Sequence, residues 1–173
     1  MTTLITGGSK CGKSRFAEDI ITCSSGRRIY IATMQPFGSE AMVTIEKHLK
    51  HRQGKGFETV EKYTDIHEIS LNSDCAVHLE CVGNLCANEM FSGERMSMPS
   101  AKVVAGIRRL AAQVGELVVV TNQVGSDGVE YDKGTAAYIA EMGRINGGIS
   151  QFADNVIECV YGVPNVLKGV LPC

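Results

Sequence analysis

Short apolar runs alternate with longer amphipathic segments along this chain, and the alternation predicts its secondary structure. The apolar runs predict six strands: Thr3–Thr6, Arg28–Thr33, Phe57–Glu61, Cys75–Glu80, Leu117–Thr121 and Asn155–Val160. The segments between them predict five helices: Lys13–Cys23, Glu40–His51, Val82–Phe91, Ala101–Gln113 and Thr135–Phe152. Strands that alternate with helices are typical of a mostly parallel central sheet with helices on both faces, so the predicted fold class is α/β.

Three segments of this pattern carry further expectations. Gly38-Ser39 precedes the helix Glu40–His51 and is expected to cap its N-terminus. The helix Val82–Phe91 is too apolar to be fully exposed, so we expect it to pack in the interior or against another subunit. Ser92–Ser100 combines a glycine, a proline and charges of both signs, and is expected to be an exposed loop.

The length and composition fit one packed domain. The chain has 173 residues, of which 44% are hydrophobic and 21% are charged, a balance that argues against disorder. We find no internal repeat and no linker, so a single domain over residues 1–173 is expected. No apolar run approaches the roughly 20 residues of a membrane span, and the opening MTTLITGGSK lacks the features of a targeting segment. The protein is therefore expected to be cytoplasmic.

The charge balance and the cysteines exclude several classes of function. Lysine and arginine number 17 and the acidic residues 19, so the formal net charge is -2 and no broad positive field exists to attract nucleic acid. Any phosphate chemistry must be local. The seven cysteines are odd in number and include no CxxC pair, which argues against a disulfide scaffold and a metal site. Four of them lie in apolar runs and are interpreted as small buried hydrophobes: Cys75, Cys81, Cys86 and Cys159.

The strongest motif is a glycine-rich segment that matches G-x-x-x-x-G-K-[ST] in full. It lies between the strand Thr3–Thr6 and the helix Lys13–Cys23, an arrangement in which backbone amides and a helix N-terminus converge on an anion. Lys13 is expected to reach the β- and γ-phosphates, and the Ser14 hydroxyl to bind Mg²⁺. The motif favours a single P-loop NTPase-like domain; the alternative is a glycine-rich turn without a ligand. The predicted phosphate-binding residues are Gly7, Gly8, Ser9, Lys10, Cys11, Gly12, Lys13 and Ser14.

Polar residues at the ends of two other strands are further candidates for the same site. Glu80 ends the apolar strand Cys75–Glu80, where P-loop enzymes usually place a carboxylate that holds Mg²⁺ through water. The alternative is that Glu80 merely caps the helix that begins at Val82. Asn122-Gln123 follows the strand Leu117–Thr121, at the sheet edge where open α/β sheets bind ligands.

A short basic run on the second predicted helix contains two histidines, His48 and His51, between Lys47 and Arg52. Such a run is usually a solvated helix face, and the histidines could be incidental. Beside a phosphate-binding loop, however, a basic cluster can contact a triphosphate, and a neutral imidazole near the α-phosphorus is a competent nucleophile.

The ordered motifs together resemble the bifunctional adenosylcobinamide kinase / adenosylcobinamide-phosphate guanylyltransferase family of cobalamin biosynthesis. A loop motif alone is common to many families, whereas several motifs in order over nearly the whole chain are much more specific. The matching segments are 6–15, Tyr30-Ile31-Ala32-Thr33, Ile45-Glu46-Lys47-His48, Phe57-Glu58-Thr59-Val60-Glu61, Leu79-Glu80-Cys81 with Asn88, 120–125, Gly143-Arg144-Ile145-Asn146 and Ala153-Asp154-Asn155-Val156.

The resemblance implies two transferase reactions at one nucleotide site, with Mg²⁺. ATP or GTP would phosphorylate adenosylcobinamide, and GTP would then donate GMP to adenosylcobinamide phosphate through a covalent GMP-histidine intermediate. The position that matches the family's nucleophile is His48, with His51 as the fallback. The resemblance also implies a homo-oligomer, typically a trimer. Beyond the glycine-rich segment, the implied nucleotide-binding residues are Ala32, Thr33, Met34, Leu49, Lys50, His51, Arg52, Glu61 and Glu80.

The chain departs from the family pattern at several positions. A usual Asn-Glu-Val-Gly is replaced by Asn122-Gln123-Val124-Gly125, and a usual arginine is replaced by Thr44. Pro-Glu and Arg-Asp pairs are replaced around Glu130-Tyr131 and Ile139-Ala140, and Gln53-Gly54-Lys55-Gly56 stands where an Arg-Pro is usual. These changes bear on substrate binding and subunit contacts more than on nucleotide binding. Two alternatives follow: a P-loop small-molecule kinase in which His48 is structural, and a non-catalytic nucleotide-binding subunit.

Overall fold

The computed structural model describes residues 1–172, which form one seven-stranded sheet flanked by five α-helices. The strands are β1 (Thr2–Thr6), β2 (Arg27–Ala32), β3 (Phe57–Glu61), β4 (Cys75–Leu79), β5 (Glu116–Val120), β6 (Asn155–Val160) and β7 (Val163–Lys168). The helices are α1 (Lys13–Cys23), α2 (Gly38–Arg52), α3 (Val82–Phe91), α4 (Ser100–Gln113) and α5 (Lys133–Phe152), with a 3₁₀ turn at Ile66–Glu68. The strand order is β3-β2-β4-β5-β1-β6-β7, and only β7 is antiparallel to its neighbour.

The predicted α/β class with a mostly parallel sheet is confirmed, and each predicted element is present with ends that differ by at most two residues. Strand β7 was not predicted from the sequence. Its side chains are mostly exposed and it contains Pro164, so neither continuous burial nor strict alternation marks it as a strand. The available sequence signal was Gly162, which favours a turn directly after β6. In the structure Tyr161 and Gly162 form the two-residue turn between β6 and β7, and both have positive φ (51° and 83°).

The predicted cap of the second helix is wrong. Helix α2 begins at Gly38 itself, with Phe37 at the N-cap position and no side-chain hydrogen bond there. Gly38 has a φ of 79°, a value that glycine adopts without strain, so the chain turns into the helix at this residue. Ser39 therefore lies in the first turn rather than at the cap.

The core has two layers, one on each face of the sheet. Helices α3, α4 and α5 cover one face, and α1 covers part of the other with Ile20 and Ile21 against Ile5 and Val118. Three of the cysteines are buried as expected, whereas Cys81 is half-buried. Residues 92–98 of the predicted loop Ser92–Ser100 are exposed, whereas Pro99 is buried and Ser100 is the first residue of α4.

The apolar helix α3 packs inside the chain's own core. Val82, Leu85, Cys86 and Met90 are fully buried beneath α4 and α5. Of the two predicted locations, the interior is therefore confirmed, and α3 provides no argument for a subunit contact. No helix within residues 1–172 is long and apolar enough to cross a membrane. The domain range predicted from the sequence ends at Cys173, which lies outside the described residues.

The buried His78 in β4 is expected to make the fold sensitive to acid. Both ring nitrogens lack a hydrogen-bond partner within residues 1–172, and burial lowers the pKa of His78 to about 3. Between pH 6.5 and 3 the unfolded chain binds a proton that the folded chain does not, so stability falls as the pH falls. At pH 5 the loss relative to neutral pH is about 2 kcal/mol.

Urea denaturation of wild type and His78→Leu at pH 7.5 and pH 5 tests this expectation. The wild type should lose about 2 kcal/mol more of its unfolding free energy than the variant between the two pH values. Equal losses in the two proteins would show that His78 is not the acid-sensitive group. The comparison uses differences between pH values, so any constant effect of the substitution on packing cancels.

Candidate functional site

The glycine loop (residues 7–12) connects β1 to α1 and is held against two other segments. The amide of Gln123 donates to the Gly7 carbonyl at 3.1 Å, and the amide of Gly162 donates to the Cys11 carbonyl at 2.9 Å. Gly7 has a φ of 141° and lies so close to the chain that an added Cβ would be 2.4 Å from the Cys159 carbonyl oxygen. Only glycine fits this position, so the sequence motif corresponds to a real constraint on the backbone.

Lys13 opens α1 and turns its side chain back over the loop. Its ammonium donates to the carbonyls of Gly7, at 2.9 Å, and Gly8, and the side chain is buried. Ser14 follows in the first turn of α1 and lines the adjacent cleft. The loop, the ammonium and the N-terminus of α1 thus present hydrogen-bond donors and positive charge to one point.

A cleft of about 500 Å³ separates the glycine loop from α2. His48 and His51 line it from α2, opposite Lys13 and Ser14. Gly7 packs against the Cys159 carbonyl and does not line the cleft, and Gly8 lines a neighbouring cavity. The predicted site residues that share the cleft are Ser9, Lys10, Cys11, Gly12, Lys13, Ser14, Met34, His48, His51 and Glu80.

A second, smaller cavity of about 230 Å³, the side cavity, adjoins the cleft. The two share Met34, His48 and Glu80, so these residues lie between the cleft and the side cavity. The predicted residues Ala32, Leu49, Arg52 and Glu61 line the side cavity. Thr33 is fully buried beside it, and Lys50 is outside both, on the exposed face of α2 in an ion pair with Glu46.

Arg52 is an unusual member of the side cavity because it is a buried cation. Its side chain is 7% exposed, and its guanidinium lies over the Tyr30 ring, 3.3 Å from the ring centre. Its Nη1 atom has no hydrogen-bond partner within residues 1–172. A buried donor without a partner is costly, so Nη1 is the polar atom of Arg52 whose hydrogen-bonding capacity is unused.

His48 and Glu80 meet at the junction of the cleft and the side cavity. The Nδ1 atom of His48 is 2.9 Å from Glu80 Oε1, and the Tyr30 hydroxyl donates to the same oxygen at 2.8 Å. The amides of Thr33 and Met34 donate to Oε2 at 2.9 and 3.1 Å. Burial alone would raise the pKa of Glu80, but these hydrogen bonds outweigh it and lower the pKa to about 2.

These contacts change the interpretation of Glu80. Both of its oxygens are engaged by His48, Tyr30 and backbone amides, and the residue is 5% exposed, so it is not placed to hold Mg²⁺ as its position at the strand end suggested. The alternative role as a helix cap is also wrong. Cys81 is the N-cap of α3, and its sulfur accepts from the amide of Asn84 at 3.4 Å.

Two residues of the cleft or of the groups behind it, Tyr30 and Asn84, were not predicted from the sequence. Tyr30 lies within a strand that reads as uniformly buried, where its hydroxyl could have been noted as a group that needs a partner. Asn84 and Asn122 line the cleft from α3 and from the segment after β5. Only Asn122 had been singled out, as a polar residue at a strand end.

Comparisons with known proteins agree on one family. The family model described as "Cobinamide kinase / cobinamide phosphate guanyltransferase" matches residues 3–167. The bifunctional adenosylcobalamin biosynthesis protein CobU of Escherichia coli (strain K12) is 33% identical, over 97% of this chain and 100% of that protein. The protein of the same name from Salmonella typhimurium is 30% identical, over 97% and 100%. The bifunctional adenosylcobalamin biosynthesis protein CobP of Pseudomonas aeruginosa is 26% identical, over 98% of each chain.

Proposed function

The chain belongs to the cobinamide kinase / cobinamide phosphate guanyltransferase family, and we propose that it carries out both reactions at one nucleotide site. In the first, ATP or GTP phosphorylates the aminopropanol hydroxyl of adenosylcobinamide. In the second, GTP donates GMP to adenosylcobinamide phosphate. The observation that carries the proposal is that His48 lines the same cleft as the glycine loop, opposite Lys13.

The glycine loop and Lys13 would bind the β- and γ-phosphates. The Lys13 ammonium donates hydrogen bonds to the carbonyls of Gly7 and Gly8. A phosphate bound in the cleft would be a stronger acceptor for it, because a phosphate is charged. The Ser14 hydroxyl supplies the hard oxygen ligand that Mg²⁺ prefers, whereas the Glu80 carboxylate is already occupied. Bound there, Mg²⁺ would offset charge on the phosphates during transfer.

The side cavity would receive the base of GTP. Arg52 Nη1 is a buried donor without a partner, and Glu61 contributes a carboxylate to the same cavity. A guanine presents a carbonyl acceptor next to N–H donors, so it complements a guanidinium and a carboxylate together. This placement puts the α-phosphate between the side cavity and the glycine loop, which is where His48 lies.

His48 would then act as the nucleophile of the guanylyl transfer. An imidazole nitrogen attacks the α-phosphorus, the bond to the bridging oxygen of the β-phosphate breaks, and pyrophosphate leaves. A phosphate oxygen of adenosylcobinamide phosphate next attacks the same phosphorus, the P–N bond breaks, and His48 is regenerated. Lys13 and the loop amides stabilise negative charge in the first of these displacements.

Incubation of the protein with GTP labelled at the α-phosphate tests the proposal. Acid-labile label should remain on the denatured protein and should be released as adenosylcobinamide-GDP when adenosylcobinamide phosphate is added. Phosphorylation of adenosylcobinamide without protein labelling would instead identify a simple kinase in which His48 is structural. Nucleotide binding without either reaction would identify a non-catalytic subunit.

We further propose that the protein is a homotrimer. The number of subunits is the one that the family resemblance implies. Support for a subunit contact comes from the hairpin of β6 and β7 and the tail after it, where Tyr161, Val163, Leu167 and Val170 are exposed on the edge of the sheet. Sedimentation velocity at micromolar concentration should therefore give the mass of three chains. A monomer at that concentration would contradict the proposal.

A further inference from the structure

We infer that Tyr30 and Glu80 together position His48 so that its Nε2 atom, and not Nδ1, forms the bond to phosphorus. The inference rests on the proposed guanylyl transfer, and it adds the reacting atom and a positioning residue, Tyr30. It starts from three atoms that are close to one another: Glu80 Oε1, the Tyr30 hydroxyl and His48 Nδ1. Glu80 Oε1 is 2.8 Å from the Tyr30 hydroxyl and 2.9 Å from His48 Nδ1, and the hydroxyl is 3.2 Å from Nδ1.

The hydrogens in this group can be assigned by elimination. Glu80 is an ionised carboxylate and has no hydrogen to give. Burial raises the pKa of Tyr30, so its phenol keeps its one hydrogen. It donates this hydrogen to Glu80 Oε1, which is closer to the hydroxyl (2.8 Å) than His48 Nδ1 is (3.2 Å). If Nδ1 carried a lone pair, that lone pair would face the carboxylate oxygen at 2.9 Å without a hydrogen between them. Nδ1 therefore carries a hydrogen, which leaves Nε2 as the ring nitrogen whose lone pair can attack phosphorus.

The carboxylate is fixed in the orientation that this assignment requires. Its Oε2 atom is held by the amides of Thr33 and Met34, so it cannot rotate without losing those bonds. The Tyr30 ring is also fixed, because Arg52 lies over one face and His78 packs edge-on with ring centres 4.9 Å apart. Tyr30 thus holds Oε1 at the point where His48 donates to it.

The same arrangement stabilises the covalent intermediate. When Nε2 attacks phosphorus, the ring keeps the hydrogen on Nδ1 and becomes a cation, which donates that hydrogen in a hydrogen bond to the Glu80 carboxylate. When the acceptor attacks, the electron pair of the P–N bond returns to Nε2 and the neutral ring is restored. No proton moves to Glu80 in either step, consistent with its pKa of about 2.

The position of the bond can be measured on the wild-type protein. The protein is labelled with ¹⁵N-histidine, treated with GTP, digested under alkaline conditions, and its phosphohistidine linkage is assigned by ¹H–¹⁵N and ³¹P NMR. Phosphorus on Nε2 is expected, and phosphorus on Nδ1 would overturn the inference. If no phosphohistidine forms at all, the proposed guanylyl transfer itself is at fault, so the two failures are distinguishable.

Two variants test the positioning role. Tyr30→Phe should slow the formation of the GMP-protein intermediate roughly 10-fold and Glu80→Gln roughly 100-fold, measured as single-turnover rates at saturating GTP. Tyr131→Phe is the matched control, since it also removes a phenolic hydroxyl, one that donates to the exposed Asp127 away from the cleft. A Tyr30→Phe rate equal to that of wild type would overturn the role of Tyr30. Circular dichroism and thermal unfolding show whether each variant folds, and the NMR assignment does not depend on any variant.

Discussion

Replacement of His48 by alanine is expected to reduce the covalent transfer of GMP from GTP to the protein on the order of 1,000-fold or more, to below detection. The physical reason is that His48 is the imidazole at the junction of the cleft and the side cavity, with one nitrogen fixed by Glu80. An alanine leaves no nucleophile there. The measurement is the acid-labile label that α-labelled GTP leaves on the denatured protein.

His51→Ala is the matched control for this experiment. His51 is on the same helix and lines the same cleft, but it is exposed and takes no part in the Glu80 hydrogen bonds. Its removal should leave most of the label in place. Loss of label in His51→Ala with retention in His48→Ala would move the nucleophile one turn along α2. Phosphorylation of adenosylcobinamide, which needs the glycine loop but no covalent histidine, reports whether each variant still folds and binds nucleotide.

The sequence was sufficient to predict most of the fold for one physical reason. Strands such as β4 and β5 are buried on both faces, so they appear as continuous apolar runs that no exposed segment would tolerate. Strand β7 escaped prediction because it is at the sheet edge, where exposure removes that constraint. The glycine loop was predictable because a backbone that must pass within contact distance of Cys159 admits only glycine at residue 7.

The role of Glu80 could not be predicted from the sequence. A carboxylate at the end of an apolar strand is compatible with a metal site, a helix cap or a buried hydrogen-bond network. Its partners decide among them, and these are far away along the chain: Tyr30 is 50 residues away and His48 is 32. Similarly, Lys50 belongs to the same basic run as His48, yet it points away from the cleft because helical geometry separates neighbours by about 100°. Only the fold distinguishes these positions.

Gly7→Ala is expected to lower the free energy of unfolding by about 2–6 kcal/mol and to abolish both reactions. Two effects contribute. A φ of 141° is strained for any residue with a Cβ, and the new methyl group would be 2.4 Å from the Cys159 carbonyl oxygen, which belongs to β6 and cannot easily move. The loop must shift to relieve this contact. Because the Gly7 carbonyl accepts from the Lys13 ammonium and from the Gln123 amide, a shift would displace both the cation and the wall of the site.

Gly8→Ala separates this backbone constraint from the general effect of an added methyl group in the loop. Gly8 is exposed, and an added Cβ would have nothing within 4 Å of it. Urea denaturation should therefore give an unfolding free energy within about 0.5 kcal/mol of wild type for Gly8→Ala and a large loss for Gly7→Ala. Equal stability of the two variants would show that the loop is free to move away from β6. In that case the glycine at residue 7 would be required for phosphate binding alone, and Gly7→Ala would lose activity through weaker nucleotide binding and not through unfolding.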